Sequence, residues 1–454
     1  MKINLPSNHC VVSLLRLFAT IGVLSASCHA TTLSLEQAQQ LAVQRDLRQQ
    51  MSMMQEQALV ADSSAAATQP DPVLSLGLAN LPTDSWQFNQ EAMTQLKVGL
   101  SQQFARGDSL ELNRRQLLNQ AAKHPWLRQD RQAKLKVMVA KQWLDAFTAE
   151  LRIQIITSSR PFFVQLSDIA QASYAAAQGR TRQQDIIQAQ VEIARLDDKL
   201  SALLTERDSK LANLTEWLLS PDTPAIGDFS ISTHRPTIAL PSAPIQQLLQ
   251  QQNKTQLAQV LQQHPAMLAA QQQIYAQLDG VELAKQKYQP QWGVNASYAY
   301  RDDAPNGSSR ADFFSVGVSV DLPFFSHQRQ DKALESARLQ AEASKTEQHL
   351  LLRNLLAQAI NNWQSAQHTA ARITHFEQLI LPQMAQHTES TLNAYTADAG
   401  DFGDVMRAKI AELNTQLELI KLQNELAQYQ VQLQYYFPST ADATAHMPIT
   451  GDSQ

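Results

Sequence analysis

The side chains of this chain that can do chemistry are scattered. Five of its 11 histidines, His327, His349, His368, His375 and His387, lie along one long helical stretch, but not at the spacing of a metal-binding pair. The sequence contains no His-Glu-x-x-His, no Gly-rich phosphate loop ending in Lys and no Gly-x-Ser-x-Gly. We therefore expect no catalytic centre, no cofactor and no bound metal.

Two short clusters have both a functional and a structural interpretation. Met51, Met53 and Met54 would suit a soft metal ion, but methionine in an Ala-rich helix more often fills gaps in packing, which is what we expect here. The sequence Arg106-Gly107-Asp108 is the tripeptide of cell-attachment loops. It falls between a predicted strand and a predicted helix, so we expect a glycine turn followed by a helix cap.

Composition narrows the class of protein. The chain has 454 residues and a formal net charge of −5, which argues against a general nucleic-acid-binding protein. Hydrophobic residues make up 44%, but only 13 residues are glycine and only 6% are aromatic. This balance favours long helices over an all-β globular domain.

Residues 1–30 are typical of a secretory signal peptide. Lys2 and Arg16 precede or flank a short apolar run, and Cys28-His29-Ala30 offers a small-x-small cleavage site. Both cysteines, Cys10 and Cys28, lie in this segment. Lipid attachment at Cys28 is the alternative, although Leu24 lies one position too far from that cysteine for a good lipid-attachment motif. No later stretch has the roughly 20 apolar residues of a membrane-spanning helix.

Alternating residues predict four strands, because successive side chains of a strand point to opposite faces. In one strand Val316, Val318 and Val320 alternate with small or polar residues; in another Leu96, Val98 and Leu100 do so. Each strand has about 9–10 residues and one apolar face, as in a transmembrane β-strand. The four strands are predicted at residues 73–80, 94–103, 291–300 and 313–322.

Helices are predicted between and around these strands. Pro125 and Pro161 are each expected to kink or interrupt the longest helix, at 109–178. The other helical segments are predicted at 32–69, 184–219, 245–289, 327–396 and from the break at Gly400 to 436. These segments give a first half at 31–219, a proline-rich linker at 220–244, a second half at 245–437 and a polar tail at 438–454.

The two halves repeat one pattern. Gly99 and Gly317 are 218 residues apart, as are the prolines that precede the first strand of each half. Pro161 and Pro382, and likewise the glycines at 179 and 400, are 221 apart. A constant offset indicates two copies of one arrangement of strands and a long helical hairpin.

The number of strands limits how they can enter a membrane. Single-chain barrels start at about eight strands, and lipid tolerates no open sheet edge. Four membrane strands therefore require partner chains, and three chains would give a barrel of about twelve strands. The alternative is a soluble four-stranded sheet that packs on the helices, as in a periplasmic coiled-coil scaffold.

The whole mature chain resembles the TolC family of outer-membrane efflux proteins. The resemblance rests on two repeats, two β-hairpins, long helical hairpins and a proline-rich linker. It implies a mainly α fold with a membrane β-barrel: a homotrimer with a 12-stranded barrel, four strands per chain, above a helical tunnel through the periplasm. The segments Asn80-Leu81-Pro82, Glu91-Ala92-Met93-Thr94 and Gly99-Leu100-Ser101-Gln102 resemble the CzcC-like heavy-metal efflux branch.

The resemblance also implies where the duct is gated. Asp404 falls on the aspartate that forms a ring at the periplasmic end in family members, and a carboxylate ring favours cations. The family's second aspartate is replaced here by Arg407. Asp185 and Tyr395 match a hydrogen-bonded lock between hairpins, whose arginine position reads Gly400 here. Simple helix capping is the alternative role for both aspartates.

We therefore predict a passive outer-membrane duct of a Gram-negative bacterium, and no enzyme. The resemblance implies a periplasmic adaptor docked on the hairpin tips, at Gly179, Arg180 and Gly400, and an inner-membrane transporter of the resistance-nodulation-division type. Heavy-metal cations are the predicted cargo. Multidrug efflux and type I secretion are the alternatives.

Overall fold

The computed structural model describes residues 31–175, 182–219, 229–397 and 399–438, and most of them are helical. The predicted signal peptide with Cys28, the tip residues Gly179 and Arg180, and nearly all of the polar tail lie outside the described residues. The elements in chain order are β1 (Thr31–Leu33), α1 (Leu35–Arg45), α2 (Leu47–Ala66), β2 (Val73–Ala79), β3 (Gln95–Gln103), α3 (Ser109–Ala175), α4 (Gln183–Leu218), β4 (Phe229–Ile231), α5 (Ala243–Gln250), α6 (Lys254–Leu261), α7 (Pro265–Gln286), β5 (Gln291–Tyr300), β6 (Phe313–Asp321), α8 (Ser326–His375), α9 (Leu381–Thr396) and α10 (Phe402–Tyr436).

Helix α3 is 67 residues long and continues through both Pro125 and Pro161. Neither proline interrupts the helix, because packing on neighbouring helices compensates for the hydrogen bond that each proline loses. Beside the second proline, Phe163 is fully buried, and Arg160 forms an ion pair with Asp197 of α4.

The long helix of the second half is interrupted where the sequence predicted continuity. A π-helical turn, Phe376–Ile380, separates α8 from α9, and the Leu381 N–H donates to the Phe376 carbonyl five residues back. Pro382 follows at the start of α9. The wider turn accommodates the proline, which has no N–H of its own to donate.

The helices before each strand pair are also shorter than predicted. Asp46 ends α1 and caps α2 by accepting from the Arg48 N–H at 3.2 Å. The segment predicted as one helix at 245–289 is divided into α5, α6 and α7. Asn253 caps the start of α6, and His264 caps the start of α7. Within the linker, β4 pairs in parallel with β1, a two-stranded sheet that the sequence did not predict.

The main sheet has four antiparallel strands in the order β2-β3-β5-β6. The helices beneath it follow the same order, since α2 packs on α3, α3 on α7 and α7 on α8. Trp143 marks one apolar core, with its indole stacked on Phe147 and its Nε1–H donated to the Leu33 carbonyl at 3.0 Å. A second core, around Phe163 and Met406, lies along the lower hairpins. In the described ranges no helix has the combined length and apolarity needed to cross a bilayer.

Candidate functional site

One face of the four-stranded sheet is apolar and uncovered. Leu76, Val98, Tyr298 and Phe314 stand directly opposite one another across the four strands. Directly opposed residues of antiparallel strands share a face, so these form one row. Leu76 is 73% and Phe314 72% exposed. An apolar face of this extent requires lipid or another partner to cover it.

The opposite face is small and polar. Ser75, Gly99, Ser297 and Ser315 form the neighbouring row. The Ser75 hydroxyl donates to the Gly99 carbonyl at 3.2 Å, and a Cβ at position 99 would lie only 2.7 Å from that hydroxyl. Glycine is therefore needed for this contact, and the face suits a watery lumen better than a packed core.

Beyond the strands, the two hairpin loops are tied together by arginines. Arg310 Nη1 donates to the carbonyls of Asn89 and Glu91 at 3.2 and 3.1 Å. Arg301 Nη1 donates to the Ala92 carbonyl at 3.2 Å, and its guanidinium lies 3.8 Å from the Phe313 ring centroid. The loops 80–94 and 301–312 thus form one unit at this end of the sheet.

At the opposite end the sheet joins the helices through a glycine turn. Gly107 has a φ of +43°, as expected for the turn between β3 and α3. Arg106 forms an ion pair with Asp321 at the end of β6, and its Nη1 donates to the Gln289 carbonyl at 2.9 Å. These contacts fix the sheet relative to the helices below.

The tip of the second hairpin contains three of the predicted gate residues, two of which contact each other. Asp401 caps α10 by accepting from the Gly403 N–H at 2.9 Å. One turn on, Asp404 forms an ion pair with Arg407, and both side chains are exposed. The ring of Tyr395 contacts the ring of Phe402, with centroids 5.9 Å apart. Arg407 therefore neutralises Asp404 locally.

Asp185 has the capping role that was one of its two expected roles. It is buried, and its Oδ2 accepts from the backbone N–H of Arg182 at 2.7 Å. This is a helix cap. The ring of Tyr395 packs against Phe402, and the lock between Asp185 and Tyr395 stays a prediction.

Sequence reasoning missed the ion pairs that join α3 to α4. Their partners lie at nearly equal distances from Gly179 along the sequence, a signal that the sequence contains. In the described ranges four such pairs cross this hairpin: Arg160–Asp197 (2.8 Å), Arg152–Glu206 (3.4 Å), Arg207–Glu150 (3.2 Å) and Lys210–Asp145 (2.9 Å).

A buried polar network holds the end of α10 against α3 and α7. The Tyr435 hydroxyl donates to Asp130 Oδ1 at 2.8 Å, and Lys134 donates to Oδ2 at 2.7 Å. His264 Nε2 lies 3.0 Å from the Tyr435 carbonyl, while its Nδ1 accepts from the Ala266 N–H. Burial lowers the pKa of His264, so this histidine is neutral and structural.

Metal ligands are not grouped in the part of the chain that the structure describes: no three His, Cys, Asp or Glu side chains are placed to share an ion. The exposed Met51, Met53 and Met54 are not packed within the chain, so the prediction that they pack is wrong for the single chain.

The chain combines an antiparallel sheet that has one apolar and one polar face with long helical hairpins. Residues 257–436 match the family model described as "Outer membrane efflux protein". No curated protein sequence matches the chain significantly. The family match supports the predicted outer-membrane location, a transport role and the absence of enzymatic activity.

Solved structures show the same fold. The outer-membrane channel OprN is 15% identical with a TM-score of 0.73, and the match covers 90% of each chain. CusC, which forms a transmembrane channel, is 14% identical with a TM-score of 0.73, covering 90% of this chain and 92% of that one. VceC from Vibrio cholerae is 17% identical with a TM-score of 0.67, covering 89% and 95%.

Proposed function

We propose that three copies of this chain form a passive exit duct through the outer membrane for an efflux system. The two-faced sheet supports this proposal most strongly. Its apolar face suits outer-membrane lipid, and its polar face suits a water-filled lumen. The outer edges of β2 and β6 have no partner strand within the described residues. Because lipid tolerates no open edge, neighbouring copies must pair there.

The duct is gated at the hairpin tips. Three copies place three Asp404–Arg407 pairs around one axis, so each carboxylate in the ring has a cation beside it. The ring is therefore weaker in cation preference than one of bare aspartates. Asp185 contributes as a buried cap at the start of α4.

Partner proteins supply the energy for export and deliver the cargo to the duct. An inner-membrane transporter of the resistance-nodulation-division type drives export, and a periplasmic adaptor docks on the tips around Gly179, Arg180 and Gly400. The CzcC-like segments around Pro82, Met93 and Gly99 favour heavy-metal cations as cargo. Deletion of the gene should then sensitise cells to metal salts; sensitivity to antibiotics alone would favour drug efflux instead.

Membrane insertion is tested by a matched pair of lysine substitutions on adjacent residues of β6. Val316→Lys charges the apolar face, and Ser315→Lys the polar face. At mid-bilayer depth, a lysine facing lipid costs about 2–4 kcal/mol. We expect Val316→Lys to lower the yield of heat-modifiable trimer in outer-membrane fractions, with Ser315→Lys close to wild type.

A soluble scaffold predicts a different outcome. In water, a lysine on the exposed position 316 is tolerated, and the wild-type protein is recovered from the periplasm as a soluble monomer. Either result would contradict the proposal that the protein is a duct.

A further inference from the structure

The four strands of the main sheet contain only two charged residues, Lys97 on β3 and Asp321 at the end of β6. Asp321 forms an ion pair with Arg106. Lys97 is exposed and has neither an ion-pair nor a hydrogen-bond partner among the described residues. It is therefore the only charge on these strands that no opposite charge in the described part of the chain balances.

Lys97 lies on the polar face of the sheet. It is two residues from Gly99 along β3, and side chains two residues apart in a strand share a face. Its direct neighbours across the sheet are Gly77 on β2 and Ala299 on β5. A Cβ added at Gly77 would meet no atom within 4 Å. Lys97 thus stands between two small residues, on the face that the proposed duct turns towards its lumen.

Charges close to the row of Lys97 do not cancel it. Phe313 stands in the same row, and the guanidinium of Arg301 lies over its ring. The carboxylate of Asp312 accepts from the hydroxyl of Tyr298, a residue of the apolar face, so it is held towards that side. Two further carboxylates, in the loop beyond the strands, belong to Asp302 and Asp303. In the row of Lys97 the polar face therefore carries positive charge only.

The second half of the chain has no counterpart to this lysine. The 218-residue offset between the halves places Ser315 where Lys97 stands in the first half. Ser315 occupies its strand position on the polar face without a charge. Strand formation therefore does not require a lysine there. In the proposed trimer the charge occurs three times, once for each copy.

We propose that three copies of Lys97 form a basic ring inside the barrel that favours anions and hinders cations. This inference rests on the proposed ring of three copies. Strands about 4.8 Å apart and tilted by about 40° give a twelve-stranded barrel a backbone radius of about 12 Å. An inward-pointing lysine then brings its ammonium group to within about one Debye length of the axis at physiological salt. The three charges therefore act together on a passing ion, as rings of basic side chains do in anion-selective pores.

The position of the ring along the duct has a consequence for transport. Lys97 is the third residue of β3, so the ring lies close to the end of the barrel that carries the loops 80–94 and 301–312. At the hairpin tips each Asp404 has Arg407 beside it, whereas Lys97 has no counter-charge. For a cationic cargo the ring is a barrier at the outer end, and it also slows the return of exported cations from the medium.

Reversal potentials of the purified trimer in planar bilayers under a KCl gradient test the ring. Lys97→Gln removes the charge and keeps most of the side-chain length. It should raise the ratio of potassium to chloride permeability about twofold at about 0.1 M salt. At about 1 M salt, where the Debye length is about 3 Å, the difference from wild type should disappear. Lys97→Arg keeps the charge and should behave as wild type.

A second set of variants changes the charge of the ring and leaves the lysine in place. Gly77→Asp puts a carboxylate directly opposite Lys97, where the space is open, and should raise the permeability ratio as Lys97→Gln does. Gly77→Asn is the matched uncharged control and should leave the ratio unchanged. Ser315→Lys adds three cations on the same face, one row away, and should lower the ratio.

The outcomes separate the Lys97 ring from the duct itself. Conducting, heat-modifiable trimers with the wild-type permeability ratio in both Lys97→Gln and Gly77→Asp would overturn the ring and leave the duct in place. A rise that persists at about 1 M salt would overturn its electrostatic origin. Wild-type protein that is monomeric and forms no channel would overturn the duct and the ring together. If Lys97→Gln fails to assemble, the comparison of Gly77→Asp with Gly77→Asn decides in the same way.

Discussion

The two helical hairpins of this chain are held together in different ways. In the described ranges four ion pairs cross from α3 to α4, whereas none joins α9 to α10. Between α8 and α10, Arg372 and Glu418 approach only to 3.7 Å. Ion pairs therefore join the helices of the first hairpin along much of its length, and the second hairpin lacks a comparable series in the described ranges. We infer that opening of the duct moves the second hairpin against the first.

The prolines at corresponding positions of the two hairpins also differ in their helical surroundings. Pro161 lies inside an unbroken α-helix, but Pro382 follows a π-helical turn. Such turns are wider than an α-turn and are found at functional sites. The second hairpin therefore has a built-in irregularity where the first is continuous.

The most direct test of this difference between the hairpins is to cross-link the second hairpin to the first. Lys199 of α4 donates to Asn414 of α10 at 3.2 Å, so these helices are close. A short bis-maleimide joining Lys199→Cys to Asn414→Cys should abolish opening, because the second hairpin cannot then move away. The measurement is single-channel conductance in planar bilayers, before and after cross-linking.

The control for this experiment cross-links two helices that an ion pair already joins. Arg160→Cys with Asp197→Cys, linked by the same reagent, connects α3 to α4 and should leave opening unchanged. Equal loss of conductance in both variants would show that the hairpins do not move relative to each other.

A second prediction concerns the contact that joins the hairpins above the tips. Asp145 of α3 accepts from Lys210 of α4, and from Asn424 and Gln428 of α10 at 3.1 and 2.6 Å. Asp145→Ala leaves three donors without their acceptor and should destabilise the protein by about 2 kcal/mol. Thermal denaturation in detergent measures this, with Asp198→Ala on the exposed side of α4 as control. A loss of thermal stability no larger than in the control would show that Asp145 does not contribute to this contact.

A third prediction tests the charges at the tip of the second hairpin. Arg407→Ala frees Asp404 and should raise cation preference by up to about fivefold, the equilibrium factor of a 1 kcal/mol surface pair. Asp404→Ala should lower it. Reversal potentials across a salt gradient report both, and unchanged values in both variants would mean that this pair does not line the pore.

Much of this fold was predictable, and the exceptions have physical causes. Alternation predicted strands whose apolar residues, such as Val98 and Val316, do share a face, because strand periodicity is local. Pro161 was misjudged because tertiary packing overrides helix propensity. The break at Asp46 depends on one capping hydrogen bond, which the sequence pattern does not distinguish from an ordinary helical position. At the predicted gate, helix capping was one of the two roles expected for Asp185, and its contact with Arg182 is set by local backbone geometry.

The smallest expected effect is the pH dependence of the ion pair between Arg160 and Asp197 in the first hairpin. Arg160 donates two hydrogen bonds to Asp197 and holds the pKa of that carboxyl below its ordinary value. A carboxyl with a lowered folded pKa contributes stability above its unfolded pKa and loses it as the pH falls through the folded value. The difference in melting midpoint between wild type and Asp197→Asn should therefore shrink from about pH 5 to about pH 3. A difference that stays constant over this pH range would mean that the ion pair between Arg160 and Asp197 does not stabilise the folded protein.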